Sequence, residues 1–480
     1  MSLIFNHVIM KEDFDSFNNG NDFDDLIGKF DEMIRHEKLY FFDVEEFEDI
    51  IDYYLERNNP KKAQAAIDHA LKQHPSSHNF QLKKAQYLAS VNKSTKALEI
   101  LHQLEVIEPR NPDIYLTRGS VYSQMKKNRQ AIAEYQKAVA FSEEKDDIYL
   151  RIAYEFEELT DFDNAIKYLI EALEFNPENQ AVLYELSYCY EIAAKESEAV
   201  EFYQHFLDLY PYSETAWFNL GLAYSNLGLY EKAIDAYEFA SAIDPEFSSA
   251  YFNKANALAN IEKYEEAIKM YEETLEYEEP EALTHFYIGE CYEKLEDYER
   301  AYTQFRLALN LNPELADAWM GLGVINDKTG NQKVAINYMV KATELDPGNV
   351  DNWLYLAETY LNYGQSAEAE NAYKKALETN PEHPDVWLDY SSMYAESENL
   401  TEAISIIMKG IETQPRNHEL YYRLAGYLAF KGRKKEAYEN FETALQLNFD
   451  DHQQLFEYYP ELKQDVQFLR MIESYNPKNN

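Results

Sequence analysis

Alanine recurs with a 34-residue period from Ala63 to Ala437, with no insertion or deletion between copies. The twelve copies are Ala63, Ala97, Ala131, Ala165, Ala199, Ala233, Ala267, Ala301, Ala335, Ala369, Ala403 and Ala437. All four tryptophans precede one of these alanines by the same interval, and a proline follows nine of the alanines at another constant interval. A fixed period of this length indicates a solenoid, in which each unit buries its apolar face by stacking on its neighbours.

The unit from residue 214 to residue 247 contains two apolar stripes with helical spacing. The first stripe consists of Trp217, Leu220, Gly221 and Tyr224, and the second of Ala233, Tyr237 and Ala240. Gly228 lies between the stripes and can adopt the left-handed conformation that ends a helix, while Pro245 prevents the second helix from continuing. We therefore predict a hairpin of two short helices.

A small residue occupies the position of Gly221 in eleven of the twelve units. These residues are Ala85, Gly119, Ala153, Ser187, Gly221, Ala255, Gly289, Gly323, Ala357, Ser391 and Ala425. Two helices approach closely only where no large side chain separates them, so this position and the repeated alanine are predicted helix contacts.

The pattern W-x2-L-G-x2-Y, followed by A-x3-Y and P, resembles the tetratricopeptide repeat. Trp217, Leu220, Gly221, Tyr224, Ala233, Tyr237, Ala240 and Pro245 carry this resemblance. It implies an all-α fold, namely a right-handed superhelical solenoid of twelve 34-residue hairpins over residues 44–451. Residues 1–43 are then an acidic N-terminal capping segment, and residues 452–480 form C-terminal capping helices.

Some residues depart from the pattern without disturbing the alanine. Ile51 replaces the small residue in the first unit, three basic residues replace the leucine, and three residues replace the proline. The basic residues are Lys84, Arg118 and Lys254, and the others are Glu143, Glu279 and Phe449. These departures affect the expected local geometry rather than the fold.

Both ends of the chain contain apolar residues at helical spacing, which is typical of caps that cover the last exposed face of a repeat array. The N-terminal set is Phe23, Leu26, Ile27, Phe30, Met33 and Ile34, and the C-terminal set is Leu455, Phe456, Tyr459, Leu462, Val466, Leu469 and Met471. Neither end reaches the usual size of a catalytic domain, so we expect a protein that is not an enzyme.

The formal charge of −43 argues against nucleic acid or an anionic membrane as the main partner and favours cationic ligands. The charge is uneven. Residues 146–315 carry 37 acids against 10 Lys and Arg, whereas residues 78–145 carry 7 acids against 11 Lys and Arg. We call the following residues the basic island: Lys83, Lys84, Lys93, Lys96, Arg110, Arg118, Lys126, Lys127 and Arg129. They are either solvated helix faces or an anchor for an acidic segment or a second copy of the chain.

The two cysteines and the other reactive side chains do not form a recognisable site. Cys189 and Cys291 occupy the same position three units apart, so we expect no disulfide between them and a reducing, cytoplasmic location. Residues 1–10 lack the basic and apolar regions expected of a signal peptide, and no run of about 18 apolar residues occurs. Pro75 interrupts the histidines around it, and no catalytic or nucleotide-binding motif occurs, so no metal or cofactor is expected.

The resemblance implies that the first helix of each hairpin lines a concave face through its second, fifth, sixth, ninth and twelfth positions. The candidate peptide-binding residues on this face are Tyr184, Tyr188, Phe218, Asn219, Phe252, Asn253, Asn256, Phe286 and Tyr287. Asn219 and Asn253 are similar to the asparagine ladder by which some members hold peptide backbones. Packing between units is the alternative role of the aromatic residues, and the lysine and asparagine pair of a carboxylate clamp is absent from the sequence.

These patterns predict a scaffold or adaptor that binds an extended peptide or protein segment on the concave face. The expected partner is basic and partly apolar, because aromatic residues and acids predominate in the middle of the chain. The alternative is a self-assembling structural protein, in which the basic units two and three of one copy contact the acidic middle of another. Nucleic acid and membrane are not expected partners, and a homo-oligomer is compatible with the sequence.

Overall fold

The computed structural model describes residues 20–36, 38–57, 59–278 and 281–475, and none of these residues forms a β-strand. The chain forms two compact units, Met1–Ile243 and Asp244–Asn480. The helices of the first unit are α1 (Gly20–His36), α2 (Val44–Glu56), α3 (Pro60–Gln73), α4 (His78–Ser90), α5 (Ser94–Ile107), α6 (Pro112–Gln124), α7 (Asn128–Val139), α8 (Asp146–Glu157), α9 (Phe162–Phe175), α10 (Gln180–Ile192), α11 (Glu196–Leu209), α12 (Glu214–Asn226) and α13 (Tyr230–Ile243).

The second unit is also helical throughout its described part. Its helices are α14 (Ser248–Asn260), α15 (Tyr264–Tyr277), α16 (Ala282–Lys294), α17 (Tyr298–Leu311), α18 (Ala316–Lys328), α19 (Gln332–Leu345), α20 (Val350–Asn362), α21 (Ser366–Thr379), α22 (Pro384–Glu396), α23 (Leu400–Thr413), α24 (His418–Phe430), α25 (Lys434–Leu447), α26 (Gln454–Tyr458) and α27 (Val466–Tyr475). Short 3₁₀ turns, Asp450–Gln453 and Pro460–Gln464, flank α26. The predicted all-α class is confirmed.

Within each unit the helices pack as hairpins. From α2 to α25, each even-numbered helix packs on the odd-numbered helix that follows it. First helices of neighbouring hairpins also contact each other. For example, α10 contacts α12, and α16 contacts α18. The even-numbered helices from α2 to α24 begin at the residues where the 34-residue period predicts a start. Stacked hairpins of this kind are the expected architecture of a helical repeat protein.

A residue with left-handed backbone conformation ends the first helix of most hairpins. Gly228 has φ of 71°, as predicted, and its amide donates to the Ser225 carbonyl over 2.9 Å. Thr160 (φ 57°) and Ala194 (φ 53°) occupy the equivalent position in two other hairpins of the first unit. Because side chains with a Cβ disfavour this conformation, the stacked helices and not the local residue impose the turn.

Polar side chains cap the N-termini of several first helices by accepting hydrogen bonds from free backbone amides. Asp43 and Glu46 form a reciprocal capping box at the start of α2. The Ser213 hydroxyl accepts from the Ala216 amide over 3.3 Å at the start of α12. Trp217 also stabilises this turn, since its indole Nε1 donates to the Pro211 carbonyl over 2.9 Å.

In three hairpins the glycine of the first helix lies against an aromatic ring of the second helix, whereas Gly323 lies against Met339. A Cβ placed on Gly221 would lie 2.4 Å from Cε1 of Tyr237, and the same distance separates Gly119 from Tyr135. In the second unit, a Cβ on Gly289 would lie 2.7 Å from Phe305 Cε1. These contacts leave no room for a methyl group, so they determine how closely the two helices pack.

A buried arginine explains one departure from the repeat pattern. Arg118 is 1% exposed and occupies the position of the buried Leu220. Its Nη1 lies 2.6 Å from Glu105 Oε2, and its Nη2 lies 2.6 Å from Glu134 Oε2. The hydrogen bond from Arg118 lowers the pKa of Glu105, which stays ionised. Two carboxylates therefore replace the apolar contacts that a leucine makes in other hairpins.

The terminal helices cover apolar side chains of the adjoining hairpins. On α1, Phe30 is fully buried and its ring centroid lies 6.3 Å from that of Phe47 on α2. On α27, Phe468 is buried with its ring centroid 5.0 Å from that of Phe441 on α25. Of the predicted capping residues, Ile34, Val466 and Leu469 are exposed. Among the described residues, no helix is long and apolar enough to span a membrane.

We expect Gly221→Ala to lower the free energy of unfolding by about 1–3 kcal/mol, because its methyl group would overlap the Tyr237 ring. Gly28→Ala is the control, since nothing lies within 4 Å of a Cβ there and alanine favours the helix by about 1 kcal/mol. Urea unfolding followed by circular dichroism measures both. Equal stability of the two variants would contradict the proposed helix contact.

We expect Arg118→Leu to cost about 3 kcal/mol, because it leaves the buried Glu134 with only the half-exposed Lys137 as a partner, 2.8 Å away. The double variant Arg118→Leu, Glu134→Gln removes this poorly compensated charge and should recover a large part of the loss. Thermal unfolding of the parent and the two variants checks this order. A double variant no more stable than the single one would show that the charge of Glu134 is not what destabilises Arg118→Leu.

Candidate functional site

We define the first-helix face as the second, fifth, sixth, ninth and twelfth positions of each first helix. In the first unit, Tyr184 and Tyr188 on α10 are 43% and 42% exposed. They lie four positions apart, which places both rings on one side of the helix. The structure therefore presents these two predicted residues to solvent together, as an aromatic surface on α10.

Two other predicted residues of the first unit are not accessible. Asn219 is fully buried, and its Nδ2 donates to the Leu183 carbonyl over 2.8 Å and to the Tyr203 hydroxyl over 3.3 Å. Phe218 is 7% exposed and its ring centroid lies 5.8 Å from that of Tyr237. The expectation that Asn219 is a rung for a peptide backbone needs correction, because its amide joins α12 to α10. Phe218 packs inside its own hairpin.

In the second unit, α14 and α16 bring several predicted residues together. The ring centroid of Phe252 lies 5.6 Å from that of Tyr271 and 5.8 Å from that of Tyr287. Asn256 accepts a hydrogen bond from the Tyr271 hydroxyl over 2.6 Å, and Asn253 donates to the Ser249 carbonyl over 2.9 Å. Phe252, Asn253, Asn256 and Tyr287 are half-buried. Their packing contacts favour the alternative role that we gave to the aromatic residues.

Phe286 is buried as well, at 9% exposure, with its ring centroid 5.8 Å from that of Phe305 on α17. The fifth position of a first helix therefore points toward the second helix in both Phe218 and Phe286. Tyr184, at the fifth position of α10, is the exposed exception.

The second unit also has a set of carboxylates on the first-helix face, which we call the acidic face: Glu290, Glu293, Asp317, Glu358 and Asp389. They belong to α16, α18, α20 and α22. Within the described part of the chain, none of them has a basic nitrogen within 4.0 Å. Glu290 and Glu358 occupy the ninth position of their helices, and the other three lie at the second, sixth and twelfth positions.

Desolvation raises the pKa of several carboxyls on the acidic face. The pKa of Glu290 rises to about 7 because the group is desolvated and because Glu293 and Asp317 repel its charge. The side chain of Asp389 reaches solvent, yet the protein around its carboxyl desolvates it and raises its pKa, with further repulsion from Asp385 and Glu358. Desolvation and mutual repulsion therefore make the charged form of these carboxyls less favourable than it is in water.

A second titratable cluster lies in the first unit, where the Cys189 thiol approaches Glu157 Oε1 to 3.5 Å. One ligand atom each from Glu157, Glu185 and Cys189 lie within 4.8 Å of one another. Burial, together with repulsion from Glu185, raises the pKa of Glu157 to about 8, and burial raises the pKa of the Cys189 thiol. These three donors are one fewer than structural zinc sites usually have. Cys189 and Cys291 are both free thiols, and both are buried.

Four residues of the basic island form ion pairs with acids of the same chain. Lys83 lies 2.6 Å from Asp52, Lys84 lies 3.5 Å from Asp68, and Lys126 lies 2.7 Å from Glu158. Arg118 is the buried ion pair described above. In the described residues, the other five members have no such partner and are exposed: Lys93, Lys96, Arg110, Lys127 and Arg129.

Profiles of known families match most of the chain. Tetratricopeptide repeat profiles match residues 49–113, 112–145, 150–214 and 215–247. The profile of the C-terminal domain of cilia and flagella-associated protein 70 matches residues 247–456. A search among curated proteins finds no matching relative.

Solved structures of repeat proteins are similar to parts of the chain. The APC/C hetero-tetramer Cut9-Hcn1 matches with 14% identity and a TM-score of 0.41, over 85% of this chain and 93% of that chain. A tetratricopeptide repeat protein from Parabacteroides merdae matches with 18% identity and a TM-score of 0.42, over 52% and 98%. YrrB, a tetratricopeptide protein with an unusual peptide-binding site, matches with 23% identity and a TM-score of 0.32, over 38% and 95%.

The profiles and the helical hairpins agree on one family. Tetratricopeptide repeats stack into extended surfaces that typically serve as scaffolds for protein interactions rather than as enzymes. Both the residue pattern and the packing of small residues against aromatic rings have the expected 34-residue period. The chain belongs to the tetratricopeptide repeat family of protein-interaction scaffolds.

Proposed function

We propose that this protein is a scaffold or adaptor whose second unit binds an extended, basic and partly apolar segment of another protein. The observation that supports this most is the acidic face, whose five carboxylates lack ion-pair partners in the described part of the chain. A lysine or arginine of a partner would supply the missing positive charge.

The raised pKa values explain why a cation would bind here in preference to water. Desolvated carboxylates that repel one another are costly in free energy, and Glu290, with a pKa of about 7, takes up a proton near neutral pH. A bound ammonium or guanidinium group would replace that proton and relieve the repulsion. The interaction would therefore be selective for positive charge and sensitive to salt.

Aromatic side chains of the second unit would contact the apolar parts of the same segment. Tyr355, at the sixth position of α20, is 51% exposed, and Tyr287 on α16 is half-buried. Tyrosine rings offer a large contact area at low entropic cost, and the stems of lysine and arginine pack well on them. In the first unit, Tyr184 and Tyr188 would contribute an apolar contact of their own.

The alternative function is self-assembly through the basic island. Five exposed basic residues without partners in the described chain could contact the acidic face of a second copy. Light scattering at low and high salt separates the two functions. A mass above the monomer at low salt that falls to the monomer once the Debye length drops below ~10 Å would favour self-assembly.

A fluorescein-labelled peptide of six Lys-Leu pairs should bind the full chain, and a Glu-Leu peptide of the same length should not. We expect the double variant Glu290→Gln, Asp389→Asn to bind the Lys-Leu peptide about tenfold more weakly, as measured by fluorescence anisotropy.

Glu272→Gln with Glu412→Gln is the matched control for this measurement. It removes the same charge from exposed residues of the second helices α15 and α23. The control should stay within about twofold of the parent, because the bulk charge alone acts weakly through solvent. If both double variants lose affinity equally, net charge and not the acidic face attracts the peptide.

Binding of the Lys-Leu peptide should weaken as the pH falls from ~8 to ~6. Glu290 has a pKa of about 7 and becomes neutral over this range, whereas lysine, with a pKa of ~10.4, remains charged. The Glu290→Gln variant should show a smaller change with pH, because its amide does not titrate. Equal pH dependence in parent and variant would show that another group controls binding.

A further inference from the structure

A small cavity lies at the C-terminal end of the first-helix face of the second unit, between α22, α24 and the short helix α26. Its volume is about 180 Å³, and its lining includes Asp385, Glu419, Tyr422, Arg423, Glu457 and Tyr458. Cavities that hold drug-sized ligands usually exceed ~300 Å³, so this one suits a single side chain.

The lining of the cavity carries an excess of negative charge. Three carboxylates, from Asp385, Glu419 and Glu457, surround the single guanidinium of Arg423. Within the described residues, none of the three carboxylates has a cationic nitrogen within 4.0 Å. Glu419 accepts one long hydrogen bond, 3.4 Å from Gln454 Nε2. The cavity thus attracts cations and repels anions.

Arg423 is 7% exposed and is only partly satisfied by the chain. Its Nη1 donates to the Ser392 hydroxyl over 2.5 Å, and its guanidinium carbon lies 3.6 Å from the ring centroid of Tyr458. A guanidinium has five N–H donors, and this is the one side-chain hydrogen bond of Arg423 in the described structure. A buried arginine with unused donors at a cavity wall favours a ligand that also brings an acceptor.

We propose that this cavity is a subsite for one lysine or arginine of a bound peptide segment. The cationic head would lie between Glu419 and Glu457, and a main-chain carbonyl of the segment would accept a hydrogen bond from Arg423. The apolar stem would pack on Tyr458, which is 55% exposed. This inference rests on the proposed function and adds to it an anchor of defined chemistry.

The probe is Nα-acetyl-arginine methylamide, compared with the citrulline analogue, which has the same shape but no charge. Saturation-transfer NMR with the full chain should show about tenfold stronger binding of the arginine probe. Glu419→Gln with Glu457→Gln should abolish that preference. Glu382→Gln with Glu412→Gln, which removes equal charge outside the cavity lining, should keep it.

Ethylguanidine has the same cation without the peptide carbonyls and should bind more weakly than the arginine probe if Arg423 recognises the main chain. Circular dichroism checks that each variant is folded. Equal binding of the arginine and citrulline probes would overturn the subsite while the Lys-Leu peptide still bound the acidic face. If the parent does not bind the Lys-Leu peptide, the proposed function fails and the subsite loses its ligand.

Discussion

The close approach of two helices at a position without a side chain is the constraint on which the structure depends. Tyr237 fills the space above Gly221, and Tyr135 does the same above Gly119. A ring at 2.4 Å from a hypothetical methyl group sets the distance between the two helices of a hairpin. Because the contact recurs with the period of the sequence, each hairpin offers the next one a surface of the same shape.

Much of the fold follows from the sequence because the period is unbroken. The register of Trp217 and Ala233 predicts the start of α12, and Gly228 adopts the positive φ expected of a helix end. The conformation of Thr160 could not be predicted from the sequence, because no local preference explains its φ of 57°. The pairing of Arg118 with Glu134 is similarly invisible in the sequence, since the two residues lie on different helices and no motif links them.

The candidate site is less predictable than the fold. A repeat position says which side of a helix a residue occupies, but burial depends on the neighbouring hairpin, as in Asn219, whose amide reaches Leu183. The properties of the acidic face also depend on neighbouring hairpins. Glu290 occupies the ninth position of α16, but its raised pKa depends on desolvation by the folded chain and on repulsion that includes Asp317 from another hairpin. The proposed binding surface therefore depends on contacts between hairpins, which the period alone does not reveal.

The most direct test of the acidic face is zero-length cross-linking. A carbodiimide couples a lysine amine to a carboxylate that it touches, so treatment of the full chain with the Lys-Leu peptide marks the binding surface. Mass spectrometry of the digest should place the cross-links on Glu290, Glu358 and Asp389. Cross-links spread over the exposed acids of the second helices, such as Glu272 and Glu412, would contradict the account.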